Sequence, residues 1–310
     1  MSAPGRTCPV SYRYAPAVFR RAPEIVADTL YVVGGLYGNV EALEEILAMA
    51  AAESGPVSLA FNGDFHWFDV DRADFARIEA GTAPHARLRG NVETEIAGEE
   101  SGAGCGCAYP VDVSDAEVAC SNEILARLRE TARGLPDARA ALAELPMHQV
   151  AHVGALRVGI VHGDAASLAG WGFAHDALES PAHRRWIDSA FRDAGVDAFA
   201  SSHTCLPALN AFEVDGTTRL VANNGAAGMP NFEATRYGLL TRLALSASRV
   251  HDPLYGRVLA DVHVDALPIR FDAQGWQHRF LASWPQGSPA YASYFRRITR
   301  GPRFDRTRAA

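Results

Sequence analysis

The sequence predicts an α/β fold in which strands and helices alternate along the chain. Short apolar runs typical of buried strands recur, and each ends in glycine or a polar residue before a stretch of helical periodicity. The clearest case is TLYVVGGLYGNVEALEEIL, residues 29–47, whose pattern predicts a strand, a glycine turn and an amphipathic helix. With 310 residues, 48% of them hydrophobic and 21% charged, the chain is long enough to bury a substantial core.

Charge and composition narrow the class of protein. The net charge is −7, from 29 basic and 36 acidic residues, and no long basic stripe indicates general nucleic-acid binding. No apolar run approaches the roughly 20 residues that span a bilayer, and the first residues lack the apolar core of a signal peptide. The odd number of cysteines, five, favours reduced thiols. We therefore expect a cytoplasmic protein with no membrane partner, and a homo-oligomer stays open.

The first half of the chain divides into an extension, a strand–helix core and an insertion. Residues 1–28 are expected to form an N-terminal extension with three aromatic residues available for packing: Tyr12, Tyr14 and Phe19. A strand at 30–33 leads into a helix from about 39 to 52, and two further strands end at Asp64 and Asn91. Residues 94–146 are expected to insert a Gly/Ser/Cys-rich loop and a cap of two helices, near 114–133 and 136–145.

The second half of the chain adds a second set of strands. A hairpin turns at 153–155 and ends at His162, and a helix near 182–194 leads into a strand that ends before His203. Another hairpin turns at Asp215-Gly216, a sequence suited to a tight turn. Strands at 237–245 and 257–271 and a helix at 289–301 follow. Residues 29–300 are expected to form one domain, and the basic tail, 301–310, is expected to fray.

Polar residues directly follow four of the predicted strands: Asp64, Asn91, His162 and His203. Ligands of open α/β sheets collect at the carboxyl ends of strands, so these side chains are expected to converge. One carboxylate, one amide and two imidazoles would form a mixed oxygen and nitrogen metal site. Simpler roles exist for each, since Asp64 could cap a helix, Asn91 could belong to a turn, and a lone histidine is often structural.

The strand ends also form an ordered set of motifs. Along the chain they are Gly35-Leu36-Tyr37-Gly38-Asn39, Gly63-Asp64, Gly90-Asn91-Val92-Glu93, His162-Gly163 and Ser202-His203-Thr204-Cys205. This order resembles the calcineurin-like metallophosphoesterases, and most closely their compact bacterial and archaeal phosphodiesterases, whose pattern is D-x-H-G-N, G-D, G-N-H-[DE], H-G and G-H-x-H. The resemblance covers about residues 30–228. It implies a four-layer αββα sandwich, in which two packed mixed sheets are flanked by helices, with a small helical cap insertion.

The departures from this pattern fall on one of the family's two metal sites. The positions that hold the first metal in the family are all changed here, to Gly35, Tyr37 and Cys205. The ligands of the second metal are all kept, as Asn91, His162 and His203 beside the bridging Asp64. The resemblance therefore implies a mononuclear site for one divalent transition metal: Mn, Fe, Zn or Ni.

Three interpretations of the changed positions stay open. Cys205 is a possible additional ligand, and a rebuilt first site could use Tyr37, Cys205 and His66. We expect instead that Tyr37 fills the volume of the lost metal. Cys105-Gly106-Cys107 is too closely spaced for a typical zinc pair and lacks a partner Cys-x-x-Cys, so a metal or redox site there is not favoured.

The resemblance implies a phosphoester hydrolase with weak or narrow activity on a small phosphorylated molecule or a phosphodiester. Because Val92 stands where the family has a histidine that protonates the leaving group, His66 and Tyr37 are the candidate catalytic residues. The candidate substrate-binding groups are the amides of Gly38 and Asn39, at a helix N-terminus, and Asn224 in VANNGAAGMP.

Two other classes of function compete with the hydrolase. A catalytically inactive protein could keep the fold for a binding or regulatory role. A dinucleotide-binding fold is disfavoured because Val33 occupies the first glycine position of its fingerprint, and because it leaves Asn91, His162 and His203 without a role.

Overall fold

A computed structural model describes residues 3–99 and 102–310, and the strands of this part of the chain form two six-stranded sheets. One sheet has the order β11-β12-β10-β2-β3-β4 and the other β1-β5-β6-β7-β9-β8. The strands are β1 Ile25–Ala27, β2 Thr29–Val33, β3 Ser58–Asn62, β4 Ala86–Leu88, β5 His148–Val153, β6 Leu156–Val161, β7 Ala198–Ser201, β8 Ala208–Val214, β9 Thr217–Asn223, β10 Gly238–Ala244, β11 Tyr255–Leu259 and β12 Val262–Ile269.

Both sheets mix parallel and antiparallel pairs, and helices cover their outer faces. β2, β3 and β4 are mutually parallel, as are β6, β7 and β9, whereas β10 runs antiparallel to β2. The helices are α1 Val40–Ala52, α2 Arg72–Thr82, α3 Asn91–Ala97, α4 Asp115–Arg133, α5 Pro136–Ala143, α6 His175–Glu179, α7 Arg184–Ala194, α8 Ala273–Ser283 and α9 Pro289–Arg300. Among the described residues, no helix is both apolar enough and long enough to cross a bilayer.

The alternation of side chains along the strands builds the layers. In β2, Leu30 and Val32 pack between the two sheets, whereas Tyr31 and Val33 pack against the helices outside their own sheet. In the same way β6 sends Ile160 between the sheets and Val161 to the opposite helical layer. This arrangement confirms the predicted four-layer αββα sandwich.

The two ends of the chain are held in the fold. Tyr12 and Phe19 of the N-terminal extension are buried, and β1 adds a parallel edge strand beside β5. The expectation that residues 301–310 fray is wrong. Phe304 packs on Phe232, and the amide of Leu209 donates to the carbonyl of Ala309 (2.6 Å), so apolar residues hold down a segment that looked merely basic.

One predicted strand differs from the structure. Residues 257–271, predicted as one strand, form the hairpin β11–β12, which turns at Ala260-Asp261 with φ of 48° and 62°. These positive φ values belong to a tight hairpin turn, but the turn lacks the Asn-Gly or Asp-Gly sequence that signals one. The two helices expected after the glycine- and cysteine-rich loop form as α4 and α5, and α4 packs against α3 and α9 at the mouth of the crevice described below.

Candidate metal centre

Four polar side chains meet where the carboxyl ends of the two sheets face each other. Asp64 follows β3, Asn91 opens α3 just after β4, and His162 and His203 follow β6 and β7. The Nε2 atom of His162 lies 3.0 Å from His203 Nδ1, 3.1 Å from Asn91 Oδ1 and 3.3 Å from Asp64 Oδ1. All four residues are buried. The structure therefore brings together the four side chains that the sequence proposed as metal ligands.

Backbone carbonyls fix which atom of each ligand faces the centre. His162 Nδ1 lies 2.9 Å from the carbonyl oxygen of Asn62, and His203 Nε2 lies 3.0 Å from that of Cys107. A carbonyl oxygen can only accept, so these ring nitrogens carry the protons, and His162 Nε2 and His203 Nδ1 are left as bare acceptors. Asn91 likewise donates from Nδ2 to the carbonyl of Cys105 (2.9 Å), which turns Oδ1 inward.

The result is a cluster of acceptors with no donor among its inward-facing atoms. Two imidazole nitrogens, an amide oxygen and a carboxylate oxygen repel one another at these distances unless a cation lies between them. Asp64, His162 and His203 each present a ligand atom within 4.8 Å of the others. The donor chemistry, and the outward tethering of three of the four side chains, are typical of a metal site.

A proton is the alternative cation for this cluster. Burial lowers the pKa of His162, but Asp64 and Glu93 outweigh that effect and raise it above its ordinary value. Burial and the neighbouring His162 lower the pKa of His203 to about 3. The two inward-facing imidazole nitrogens therefore hold at most one additional proton between them, and a metal ion bound there would displace it.

A cysteine-containing loop supplies two of the three tethers. In this cysteine loop (residues 102–109), the carbonyl of Cys105 holds Asn91, and that of Cys107 accepts from both His203 and Trp171 Nε1 (3.1 Å). Both thiols are buried. The loop thus serves the centre through its backbone oxygens.

The N-terminal arm (residues 3–14) in turn holds the cysteine loop. The amide of Gly5 donates to Ala103 (2.7 Å), and the amide of Tyr109 donates back to Gly5 (2.9 Å). Tyr12 Oη donates to Glu95 of α3 (2.7 Å), beside the loop. The arm therefore braces the loop that orients two ligands.

Glu93 holds the backbone under the centre. Its carboxylate accepts from the amides of Asp64 and Gly90, both at 2.8 Å, and more weakly from His66 at 3.3 Å. Burial and the nearby Asp64 raise the pKa of Glu93 to about 7. These bonds hold Asp64 in the left-handed backbone region, at φ 53°, which is an uncommon conformation for a residue other than glycine.

Tyr37 and Cys205 form a hydrogen-bonded pair beside the centre. Tyr37 Oη lies 2.8 Å from Cys205 Sγ, and burial raises the pKa of both groups above their ordinary values. A Cβ atom on Gly35 would lie 2.5 to 2.6 Å from the ring and hydroxyl of Tyr37, so the tyrosine fills the space of a side chain at position 35. The residues at positions 35, 37 and 205 therefore depend on one another for packing.

The structure does not bring His66 into the crevice. Its imidazole is fully buried, with Nδ1 2.6 Å from Asp69 and Nε2 3.1 Å from Glu79, and the ring stacks on Phe75 at 3.7 Å. The chain turns sharply at Asp64, which sends the side chain two residues later toward α2. Both ring nitrogens are occupied by carboxylates, so His66 acts as a buried ion-pair partner.

The groups proposed to bind substrate are used inside the fold. The amides of Gly38 and Asn39 donate to the carbonyls of Phe65 and Leu36, at 2.9 and 3.0 Å, and the Asn39 side chain caps α1. The amide group of Asn224 lies between the carbonyl of Ser201 and the amide of Gly34, at 2.8 and 2.9 Å, and so links the two sheets. None of the three lines the cavity at the centre.

A cavity of about 270 Å³ opens above the centre, between the strand ends and the helices α4 and α9. Its floor includes Asp64, Asn91, His203, Tyr37 and Cys205. Its walls contain aromatic and hydroxyl side chains and one arginine. None of the wall residues was predicted as a site residue. They are Trp67, Val92, Cys107, Tyr109, Val113, Glu117, Ser121, Trp171, Thr204, Ser293, Tyr294 and Arg297. The α9 residues among them share a face through their helical spacing, but no motif marks them in the sequence.

Comparison with solved structures identifies proteins with a similar fold. A hypothetical protein from Pyrococcus horikoshii OT3 matches 90% of this chain and 100% of its own, with a TM-score of 0.57 and 14% sequence identity. A metallophosphoesterase from Sphaerobacter thermophilus matches 88% of this chain and 100% of its own, with a TM-score of 0.53 and 14% identity. No protein-family model and no curated protein matches the sequence. The chain therefore has the metallophosphoesterase fold, as the motif order implied.

We expect replacement of His66 by glutamine to change the pH dependence of stability. Burial lowers the pKa of His66, but the carboxylates of Asp69 and Glu79 outweigh this effect and raise the pKa from 6.5 to about 10. The protonated His66 therefore stabilises the folded state fully below pH 6.5, and this contribution is lost as the pH rises through about 10. Over this range the free energy of unfolding falls by up to roughly 1.4 kcal/mol per pH unit. Urea unfolding at several pH values should show this slope in the wild type and lose it in His66→Gln. The exposed His278→Gln is the control, and an unchanged slope in His66→Gln would contradict the assignment.

We expect Gly106→Ala to weaken metal binding without touching a ligand. A Cβ there would lie 2.4 Å from Tyr12 Oη and 3.3 Å from Asn91 Cβ, so the cysteine loop must shift. Disturbing the groups that orient ligands typically costs about 10- to 100-fold in affinity. Gly102→Ala is the matched control, because its φ is also positive but nothing lies within 4 Å of its Cβ. Competition against a metal-binding dye measures both affinities, and equal effects would show that the loop does not position Asn91.

Proposed function

We propose that this chain is a mononuclear, metal-dependent phosphoester hydrolase that acts on a small phosphorylated substrate. One observation carries the proposal: four acceptor atoms, three of them oriented by outward hydrogen bonds to backbone carbonyls, converge beside a cavity in a metallophosphoesterase fold. Asp64, Asn91, His162 and His203 would hold the ion. This donor set suits borderline divalent ions such as Mn, Fe, Zn or Ni.

The neighbouring Tyr37–Cys205 pair argues for one metal and not two. Burial raises the pKa of both groups, so the phenol and the thiol of this pair are neutral at pH 7. Their 2.8 Å contact is a hydrogen bond between neutral groups that already satisfy each other. The first metal position of the resembling family is therefore filled by protein, and Cys205 is not assigned as a ligand.

The residues of the cavity define what the chain contributes to hydrolysis. A bound metal supplies a Lewis acid and a water of lowered pKa. Asp64, whose Oδ1 also accepts from the amide of Val92 (3.3 Å), fixes one side of the centre. Val92 puts an apolar side chain in the cavity wall, and the raised pKa of Tyr37 makes its phenol a poor acid at neutral pH. The leaving group must therefore depart with little protonation.

The experiment is hydrolysis of aryl and alkyl phosphates by metal-loaded protein. We expect one metal per chain by elemental analysis, and turnover that falls steeply as the pKa of the leaving group rises, because no side chain protonates it efficiently. Asp64→Ala and His203→Ala should lose the metal and lower kcat/KM by at least about 100-fold. Asp71→Asn, at the exposed N-cap of α2, is the control that should change neither quantity.

The same measurements separate the hydrolase from its main alternative. One tightly bound metal without turnover on any monoester or diester would favour a binding or regulatory protein with this fold.

Val92→His adds a test of the missing proton donor, since an imidazole in the cavity wall should raise kcat for alkyl esters by about 100-fold or more and barely affect activated aryl esters. Metal content that is unchanged in Asp64→Ala and His203→Ala would refute the site.

A further inference from the structure

We infer that Arg297 is the second cation of this site, and that it binds the phosphoryl oxygens of a small phosphomonoester on the side away from the metal. This inference rests on the proposed function and names the substrate class of the same cavity. It assigns a role in recognition to the C-terminal helix α9, which lies outside all the motifs of the sequence.

Arg297 lines the same cavity as groups of the candidate metal centre. It lies on α9, is half-buried, and lines the same cavity as Asp64, Asn91 and His203. Among the described residues that line this cavity, it is the one arginine or lysine. A cation so placed is desolvated in part, and such charges are usually paired.

The guanidinium is anchored but not neutralised. Its Nη2 donates to the carbonyl of Cys205 at 2.5 Å, and Nε donates to that of Pro230 at 3.4 Å. Within residues 3–99 and 102–310 it forms no ion pair with a carboxylate, in contrast to Arg129, which pairs with Glu95, and Arg279, which pairs with Asp74. Its Nη1 donates to no described residue, so N–H donors remain for a ligand.

The contact with Cys205 ties the cation to the metal centre. Cys205 follows the ligand His203 by two residues, and its thiol accepts or donates the 2.8 Å bond to Tyr37. The same short loop therefore sets the positions of one metal ligand and of the guanidinium. Because the acceptor is a neutral backbone oxygen, the hydrogen bond fixes the position of the guanidinium and leaves its positive charge without a compensating carboxylate.

The charges and walls of the cavity favour a phosphomonoester. A divalent metal beside Asp64, together with Arg297, leaves a net positive cavity that matches a group carrying about −1.5 to −2 charges at pH 7. The other acid in the wall, Glu117, is exposed and accepts from the amide and hydroxyl of Ser114, at 3.2 and 2.8 Å. A planar guanidinium binds two phosphoryl oxygens at once. Trp67 and Trp171 leave apolar surface for the ester group.

Binding of inorganic phosphate to the metal-loaded protein, measured by calorimetry, tests the inference apart from turnover. We expect Arg297→Gln to weaken phosphate binding by about 10- to 100-fold, the worth of a charge-assisted hydrogen bond, with metal content unchanged. Arg297→Lys should give an intermediate affinity, since lysine keeps the positive charge but lacks the planar guanidinium that binds two phosphoryl oxygens at once. Arg296→Gln is the matched control, because its side chain is 52% exposed and pairs only distantly with Glu233 (3.9 Å).

The outcomes distinguish this inference from the proposed function. Unchanged phosphate affinity in Arg297→Gln, with one metal still bound, would overturn the role of Arg297 and leave the hydrolase intact. A wild-type protein that holds its metal but neither binds phosphate nor hydrolyses any ester would overturn both. If Arg297→Gln fails to fold, Arg297→Lys decides, since an affinity equal to that of the wild type would show that the guanidinium makes no specific contact.

Discussion

The candidate centre depends on three backbone carbonyls that point the donors of its ligands outward. The carbonyls of Asn62, Cys105 and Cys107 take the protons of His162, Asn91 and His203, and this leaves their other polar atoms crowded around one point with Asp64. A buried cluster of acceptors is costly unless a cation occupies it. The mixed sheets, the left-handed turn at Asp64 and the brace of the N-terminal arm all serve to keep these atoms in place.

Beside the candidate centre, Gly35, Tyr37 and Cys205 pack as a unit. Tyr37 needs a glycine at position 35, and its hydroxyl finds its partner in Cys205, so the three positions form one packed unit. Tyr37 and Cys205 adopt φ of 55° and 59°, a strained region for such residues that costs on the order of 1–3 kcal/mol each. Both residues therefore belong to tight turns, and the hydrogen-bonded pair of side chains fills the space beside the candidate centre.

The fold and the convergence of the four polar side chains could be predicted because both follow from local sequence patterns. Polar residues follow strands such as β3 and β6, and the carboxyl ends of strands meet in space, so Asp64, Asn91, His162 and His203 were correctly expected to lie together. The role of His66 could not be predicted, because its direction depends on a single left-handed residue, Asp64, and on partners in α2 that follow much later. The hydrogen bonds from Asn91 and His203 to the carbonyls of Cys105 and Cys107 could not be predicted for another reason. Their acceptors are backbone oxygens, which every residue has, so no sequence motif marks them. Arg297 was missed because its neighbours in space are distant in the chain.

The most direct test of the account is an anomalous-difference map from crystals grown with Mn²⁺ or Zn²⁺ and measured at the absorption edge of that metal. The account predicts a single peak, within about 2.0–2.3 Å of Asp64, Asn91 Oδ1, His162 Nε2 and His203 Nδ1. It also predicts no peak between Tyr37 and Cys205. Two peaks, or one bonded to Cys205 Sγ, would contradict it.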